Sequence, residues 1–157
     1  MPPTFGWIKC NTDGGYDDIT KDNGAGYVMR DFSSKASFCA FIIFDVESAE
    51  EAEARAIWVV LKKAVELKLT HIIVESDAQE LVSQFSAGRF DGTPRTNAIN
   101  KDIQLFASSL IDCIFSFRPR TSNYVAHELA KWEKNNKSSM YRSVPHVWLR
   151  HFVEEDH

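Results

Sequence analysis

The spacing of hydrophobic positions changes once along the chain, and the change divides it. Up to Phe44 the apolar residues come in short runs separated by polar or glycine-containing breaks. Trp7 to Asp13 reads as a strand that Gly14-Gly15 stops. Tyr16 to Asn23 is polar and acidic, as a loop would be. Gly24-Ala25-Gly26 opens a second strand, Tyr27 to Arg30, and Asp31 to Lys35 suits a hairpin connection. Ser37 to Phe44 (SFCAFIIF) is a third, long and apolar strand. These three predict an antiparallel meander.

After Phe44 the period becomes helical. Ser48 with Glu51 three residues later has the form of a capping box, and predicts a helix running to about Leu67. Ala49, Ala56, Ile57, Val60, Ala64 and Leu67 fall on one face, with Glu53 in their midst, while Glu47, Glu51, Lys62 and Glu66 lie away from it. His71 to Val74 is a short buried strand leading into Glu75-Ser76-Asp77. A helix follows, with Ala78, Leu81, Val82 and Phe85 inward, and then a loop over 88–96. A further helix carries the stripe Ile99, Ile103, Phe106 and Leu110. Residues 113–118 alternate as a fifth strand, ended by Pro119. Ser122-Asn123 suits the cap of a last helix, with Val125, Ala126, Leu129 and Ala130 inward. The order is β-β-β-α-β-α-α-β-α. Helical crossovers should bring the fourth and fifth strands into the sheet in parallel.

At 157 residues the chain has the length of one domain, with a core expected over about 5–135 and a tail over 136–157. Hydrophobic residues make up 44% and charged residues 25%, which excludes wholesale disorder. Three cysteines, Cys10, Cys39 and Cys113, have no CxxC spacing, which argues against a disulfide framework or zinc knuckle and suits a reducing compartment. The start, Met1-Pro2-Pro3-Thr4, has no charged lead and no apolar stretch, so no signal peptide is expected. No apolar run approaches the roughly 18 residues of a membrane span. The expectation is an intracellular protein, cytoplasmic or nuclear. The net charge of −4 argues against tight non-specific DNA binding but fits a site whose cations offset acidic side chains.

Three carboxylates bear on chemistry. Glu53 in an apolar stripe is costly to bury unless it is paired or holds a metal, or unless the helix is turned so that it reaches water. Asp77 sits where open α/β sheets bind ligands, beyond the carboxyl end of a strand, yet aspartate there is also an ordinary helix cap, a job Ser76 with Gln79 can fill instead. Asp13 before two glycines suits a turn, or a place where backbone approaches a ligand closely. Taken together, at spacings of 40 and 24 residues, the three make a converging cluster. Carboxylates holding two hard cations about 4 Å apart activate water and stabilise the leaving oxygen of a phosphodiester.

The chain resembles the ribonuclease H family, and within it the plant domains related to those associated with reverse transcriptases. The pieces that carry the resemblance are Trp7 to Gly14, Gly24 to Asp31, Ala52-Glu53-Ala54, Val74-Glu75-Ser76-Asp77, Arg118 to Asn123 and Ala126-His127-Glu128-Leu129-Ala130. The resemblance implies an α/β ribonuclease H-like fold: a five-stranded mixed sheet, its first three strands antiparallel, with helices on both faces. It also implies cleavage of the RNA strand of an RNA–DNA hybrid with two magnesium or manganese ions. Asp13, Glu53 and Asp77 match the family's first three catalytic, metal-holding carboxylates. His127 stands where bacterial members have a fourth carboxylate. Substrate contacts are expected from Gly14, Gly15 and Asn123, and the chain is expected to act as a monomer.

The chain departs from the family pattern in two further places. Ala49 and Glu50 replace two nucleic-acid-contacting amides, and residues 88–97 are too short for the basic protrusion of some members. A basic stretch over 118–142, with Arg118, Arg120, Lys131, Lys134, Lys137 and Arg142, is expected to contact phosphates or to form an ordinary solvated face. Two other readings stay open. His127, Glu50 and the acidic net charge suit a nucleic-acid-binding module without catalysis, and Trp148 and Phe152 suit a protein-interaction domain.

Overall fold

A computed structural model describes residues 6–15, 24–31, 36–43, 45–119 and 140–142. The elements run β1 Ile8–Gly15, β2 Gly24–Arg30, β3 Ala36–Ile43, α1 Ala49–Glu66, β4 His71–Ser76, α2 Gln79–Ser86, α3 Asn97–Ser108, β5 Asp112–Phe117 and β6 Met140–Arg142. The sheet order is β5-β4-β1-β2-β3-β6. β1, β2 and β3 pair antiparallel, and β4 and β5 join in parallel, as the crossovers predict. β6 adds a three-residue edge to β3 from a stretch that the polar sequence assigns to the tail. None of the described helices is long and apolar enough to cross a membrane.

One expectation about β1 is corrected. Gly14 and Gly15 do not stop the strand, because they pair with Ala25 and Gly24 in register and carry the sheet two residues past Asp13. Glycine lacks the side chain that normally holds a strand against its neighbours, but its backbone makes the same ladder bonds.

The core lies on one face of the sheet. Cys10, Tyr27, Met29, Ile72 and Val74 from the strands meet Ile57, Val60 and Leu61 of α1, Phe85 of α2 and Ile103 of α3. Each large aliphatic side chain buried there contributes about 1.5–3 kcal/mol. Phe85 stacks on Phe90 and meets Phe115 edge-on, so α2 covers the same face as α1. The last predicted helix, which would cover the opposite face, lies outside the described residues.

The start of α1 departs from the apolar-stripe reading. Ala49 is exposed, while Glu51 is buried. Ser48 caps the helix as expected, its Oγ accepting the Glu51 N–H at 3.1 Å. Glu51 Oε1 reaches one residue beyond the cap to accept the Glu47 N–H at 3.0 Å, and also accepts from Arg95 Nε at 3.1 Å. Three hydrogen bonds, one from the Glu47 N–H and two from Arg95, make burial of that carboxylate tolerable, which the apolar periodicity cannot express.

All three cysteines are free thiols. Burial pushes the Cys10 thiol far above its ordinary range, with Cys113 and Glu75 adding to the effect. Burial, helped by Asp112, pushes Cys113 up to about 12. A thiol that ionises later in the folded chain than in the unfolded one stabilises the fold below the unfolded value and loses that contribution as pH rises towards the folded one. Unfolding free energy should therefore fall between about pH 9 and 12, by up to about 1.4 kcal/mol per pH unit for each thiol. Urea titrations across that range check this, and a Cys10→Ala, Cys113→Ala pair should flatten the slope.

Candidate functional site

Asp13, Glu53 and Asp77 come together. One carboxylate oxygen from each lies within 4.8 Å of the others. Asp13 is buried, and Glu53 and Asp77 are half-buried.

The sheet register accounts for two of them. β1 and β4 run parallel, from Ile8 beside Ile72 to Asn11 beside Glu75. Two residues further along, the same register sets Asp13 beside Asp77. Both sit at the carboxyl ends of adjacent parallel strands, where such sheets bind ligands. The strands are fastened just before that point: Thr12 Oγ1 donates to the Glu75 carbonyl at 3.1 Å. The cap role weighed for Asp77 is not filled by any side chain: α2 starts from Ala78 without a side-chain cap, and Ser76 Oγ accepts only the Ala78 N–H, at 3.1 Å.

Glu53 arrives from α1. A Cβ on Gly14 would lie 2.3 Å from the Ala52 carbonyl carbon and 2.6 Å from the Glu53 amide nitrogen. Only glycine lets the helix backbone settle onto the end of β1. That approach brings Glu53 Oε2 to 3.2 Å from the Gly14 N–H, which it accepts. Gly14 therefore has a structural task, with its amide engaged inside the protein. Gly15 differs, as a Cβ there would meet only the Gly24 carbonyl oxygen at 3.8 Å.

A second polar cluster lies behind the carboxylates. Glu75 is buried, yet the hydrophobic pattern does not single it out. It accepts from Asn11 Nδ2 at 2.9 Å and Arg118 Nε at 2.5 Å, with Lys9 Nζ at 3.8 Å. Asn11 Oδ1 in turn accepts from buried Arg30 Nη1 at 2.6 Å. The available signal was the alternation of Lys9 and Asn11 with Cys10 in β1, a polar face on a central strand. Arg118, expected in a basic arm, also joins this cluster through Glu75. His127, Asn123 and the rest of the basic stretch up to Met140 lie outside the described residues.

A family model described as reverse transcriptase-like matches residues 11–133. The chain belongs to that family. No curated protein matches it. Among solved structures it is similar to the N-terminal RNase H domain of a Mycobacterium tuberculosis protein, solved as a fusion with maltose binding protein, at 22% identity and a TM-score of 0.74 over 83% of this chain and 94% of that one. It is also similar to RNase H1 from the archaeon Halobacterium salinarum, at 16% identity and a TM-score of 0.74 over 84% and 99%. A third is LC11-RNase H1 in complex with an RNA/DNA hybrid, at 20% identity and a TM-score of 0.73 over 83% and 98%. At these identities the likeness establishes the ribonuclease H fold.

The donor set fits divalent cations. Magnesium and manganese take carboxylate oxygens, and three such groups within 4.8 Å converge on one point. Without a cation, each pair of ionised carboxylates at that distance repels by about 3 kcal/mol at an effective dielectric near 20.

Two outcomes test this geometry. Gly14→Ala should lower stability by more than about 3 kcal/mol through the backbone overlap, while Gly15→Ala stays within about 0.5 kcal/mol, both read from denaturant midpoints. Asp13→Asn should raise the melting temperature of metal-free protein by relieving repulsion. The gain should vanish or reverse in Mn²⁺, where the wild type alone draws full stabilisation from binding.

Proposed function

We propose that the chain is a metal-dependent endoribonuclease that hydrolyses the RNA strand of RNA–DNA hybrids, acting as a monomer. The observation that carries this reading is the convergence of Asp13, Glu53 and Asp77 at the carboxyl ends of β1 and β4 in a chain of this family. It is supported by LC11-RNase H1, a structure of the same fold solved with an RNA/DNA hybrid.

On this reading Asp13, Glu53 and Asp77 hold two Mg²⁺ or Mn²⁺ ions. Bound there, the ions supply positive charge for the developing phosphodiester oxyanions and acidify water near the scissile bond. Asp13, buried at the end of a central strand, fixes the inner corner of the site. Glu53, held through the Gly14 amide, fixes the corner nearest α1. Half-buried Asp77 completes the set on the neighbouring strand. His127, which matches the position of the family's fourth carboxylate by sequence, would move a proton without adding negative charge. Asn123 and Gly15, with the start of α1, contact the substrate and read the 2′-hydroxyls that distinguish RNA from DNA.

A labelled hybrid should be cut in its RNA strand with Mg²⁺ or Mn²⁺, while single-stranded and duplex RNA are spared. Asp13→Asn and Glu53→Gln should lower the rate by roughly 10²–10⁴-fold. A calorimetric titration of Mn²⁺ should show binding that both substitutions abolish. Cleavage that persists in Asp13→Asn would rule out this site. Hybrid binding with no turnover at any Mn²⁺ concentration would favour the binding-module reading that His127 motivates.

A further inference from the structure

The candidate site faces a polyanion with three carboxylates, in a chain of net charge −4. A substrate phosphate brought beside them needs a cation from the protein as well as from solution. The described residues place one cation at that edge. β4 and β5 pair in parallel from His71 beside Asp112 to Ser76 beside Phe117. One residue further, the register sets Arg118 beside Asp77, and the Arg118 N–H donates to the Ser76 carbonyl at 2.9 Å. Arg118 is thus the next strand's counterpart of a site carboxylate, at the same carboxyl edge of the sheet.

Its side chain is held at one end and open at the other. Glu75 Oε2 accepts from Nε at 2.5 Å. The Glu75 side chain is 4% exposed, whereas that of Arg118 is 48% exposed. Glu75 also has Lys9 and Asn11 as partners, so the burial of its charge does not depend on Arg118 alone. Neither Nη of Arg118 has a partner among the described residues. A half-exposed guanidinium tethered through Nε, with both Nη groups unpartnered among the described residues, has a planar fork of donors suited to phosphate oxygens.

We propose that Arg118 is a phosphate-contacting residue of the candidate nuclease site, and that buried Glu75 is the positioning residue that aims it. This rests on the ribonuclease H reading of the carboxylate cluster. The ligand is a backbone phosphate of the hybrid, gripped next to Asp77. The contact sets affinity and register on the duplex and carries no base specificity.

The test uses the full chain and a fluorescein-labelled RNA–DNA hybrid. Cleavage is followed with Mg²⁺, and binding by anisotropy with Ca²⁺ in its place, between roughly 50 and 200 mM KCl. Arg118→Ala should raise KM and Kd about tenfold at low salt, with kcat within about twofold, and should reduce the slope of log K against log salt by about one. Arg118→Lys should restore the slope, since it keeps the charge, while recovering only part of the affinity. Glu75→Gln should raise KM in the wild-type background and leave it unchanged in the Arg118→Ala background, a coupling that mere loss of stability would not produce. Wild-type KM, Kd and salt slope in a folded Arg118→Ala protein would overturn the proposal and leave the ribonuclease reading intact. A fall in kcat alone would likewise overturn it. A wild-type protein that binds the hybrid without cutting it still yields the slopes, which decide the case. A wild-type protein that does neither overturns both readings. If Arg118→Ala fails to fold, Arg118→Lys and Glu75→Gln provide the same comparison.

Discussion

Everything at the site depends on how closely α1 can approach the end of β1. The contact is backbone on backbone, Ala52 and Glu53 over Gly14, with no room for a single methyl group. Because the strand continues through the glycines, the helix rests on a paired, rigid edge rather than on a turn. Glu53 then needs little reach, and its oxygen meets the Gly14 amide at 3.2 Å. A residue that looks like a strand terminator is the seat on which α1 rests. The same contact explains how Glu53 lies among apolar neighbours at only half-burial. Its helix position faces the core, but the carboxylate passes over the sheet's end towards Asp13.

The two faces of the sheet divide the work. On the α1 side, packing of Cys10, Val74 and Ile72 against the helices supplies the stability. The alternate residues of β1 and β4, Lys9, Asn11 and Glu75, form a buried charged cluster with Arg30 and Arg118. Replacing such a cluster with apolar residues often stabilises a protein, so its presence is weak evidence of a stabilising role. Its geometry suggests positioning instead. Thr12 and Asn11 tie β1 to Glu75, and Asp13 and Asp77 each follow the tie by no more than two residues.

The strand and helix order was legible because each element obeys its own period, and the parallel joins follow from the crossovers. The carboxylate triad was legible for a different reason: Glu53 violates its stripe, and a violation that costs several kcal/mol unless compensated points to a partner. Resemblance to the ribonuclease H family turned that violation into an expected set. Periodicity failed where hydrogen bonding decides burial. Glu51 looks solvent-facing until Arg95 is brought to it from 44 positions away along the chain. Glu75 looks like the polar end of a strand until Asn11, Lys9 and Arg118 surround it. β6 was illegible because three residues pairing at an edge need no hydrophobic signature; the ladder bonds to β3 suffice.

A parallel sheet places its strand ends in a row, and here the row reads Asp13, Asp77, Arg118 across β1, β4 and β5. The ladders that end at Asn11–Glu75 and Ser76–Phe117 bring those positions to one edge of the sheet. The row therefore carries both signs of charge. That separates two properties usually discussed together. On the proposed function, cation holding would depend on the carboxylates over β1 and β4 and on the helix seated at Gly14. On the proposed role of Arg118, grip on the polyanion would depend on the next strand outward, where the charge is positive and buried Glu75 holds Nε. A fold shared by proteins of different function can keep the first property constant and vary the second one residue at a time.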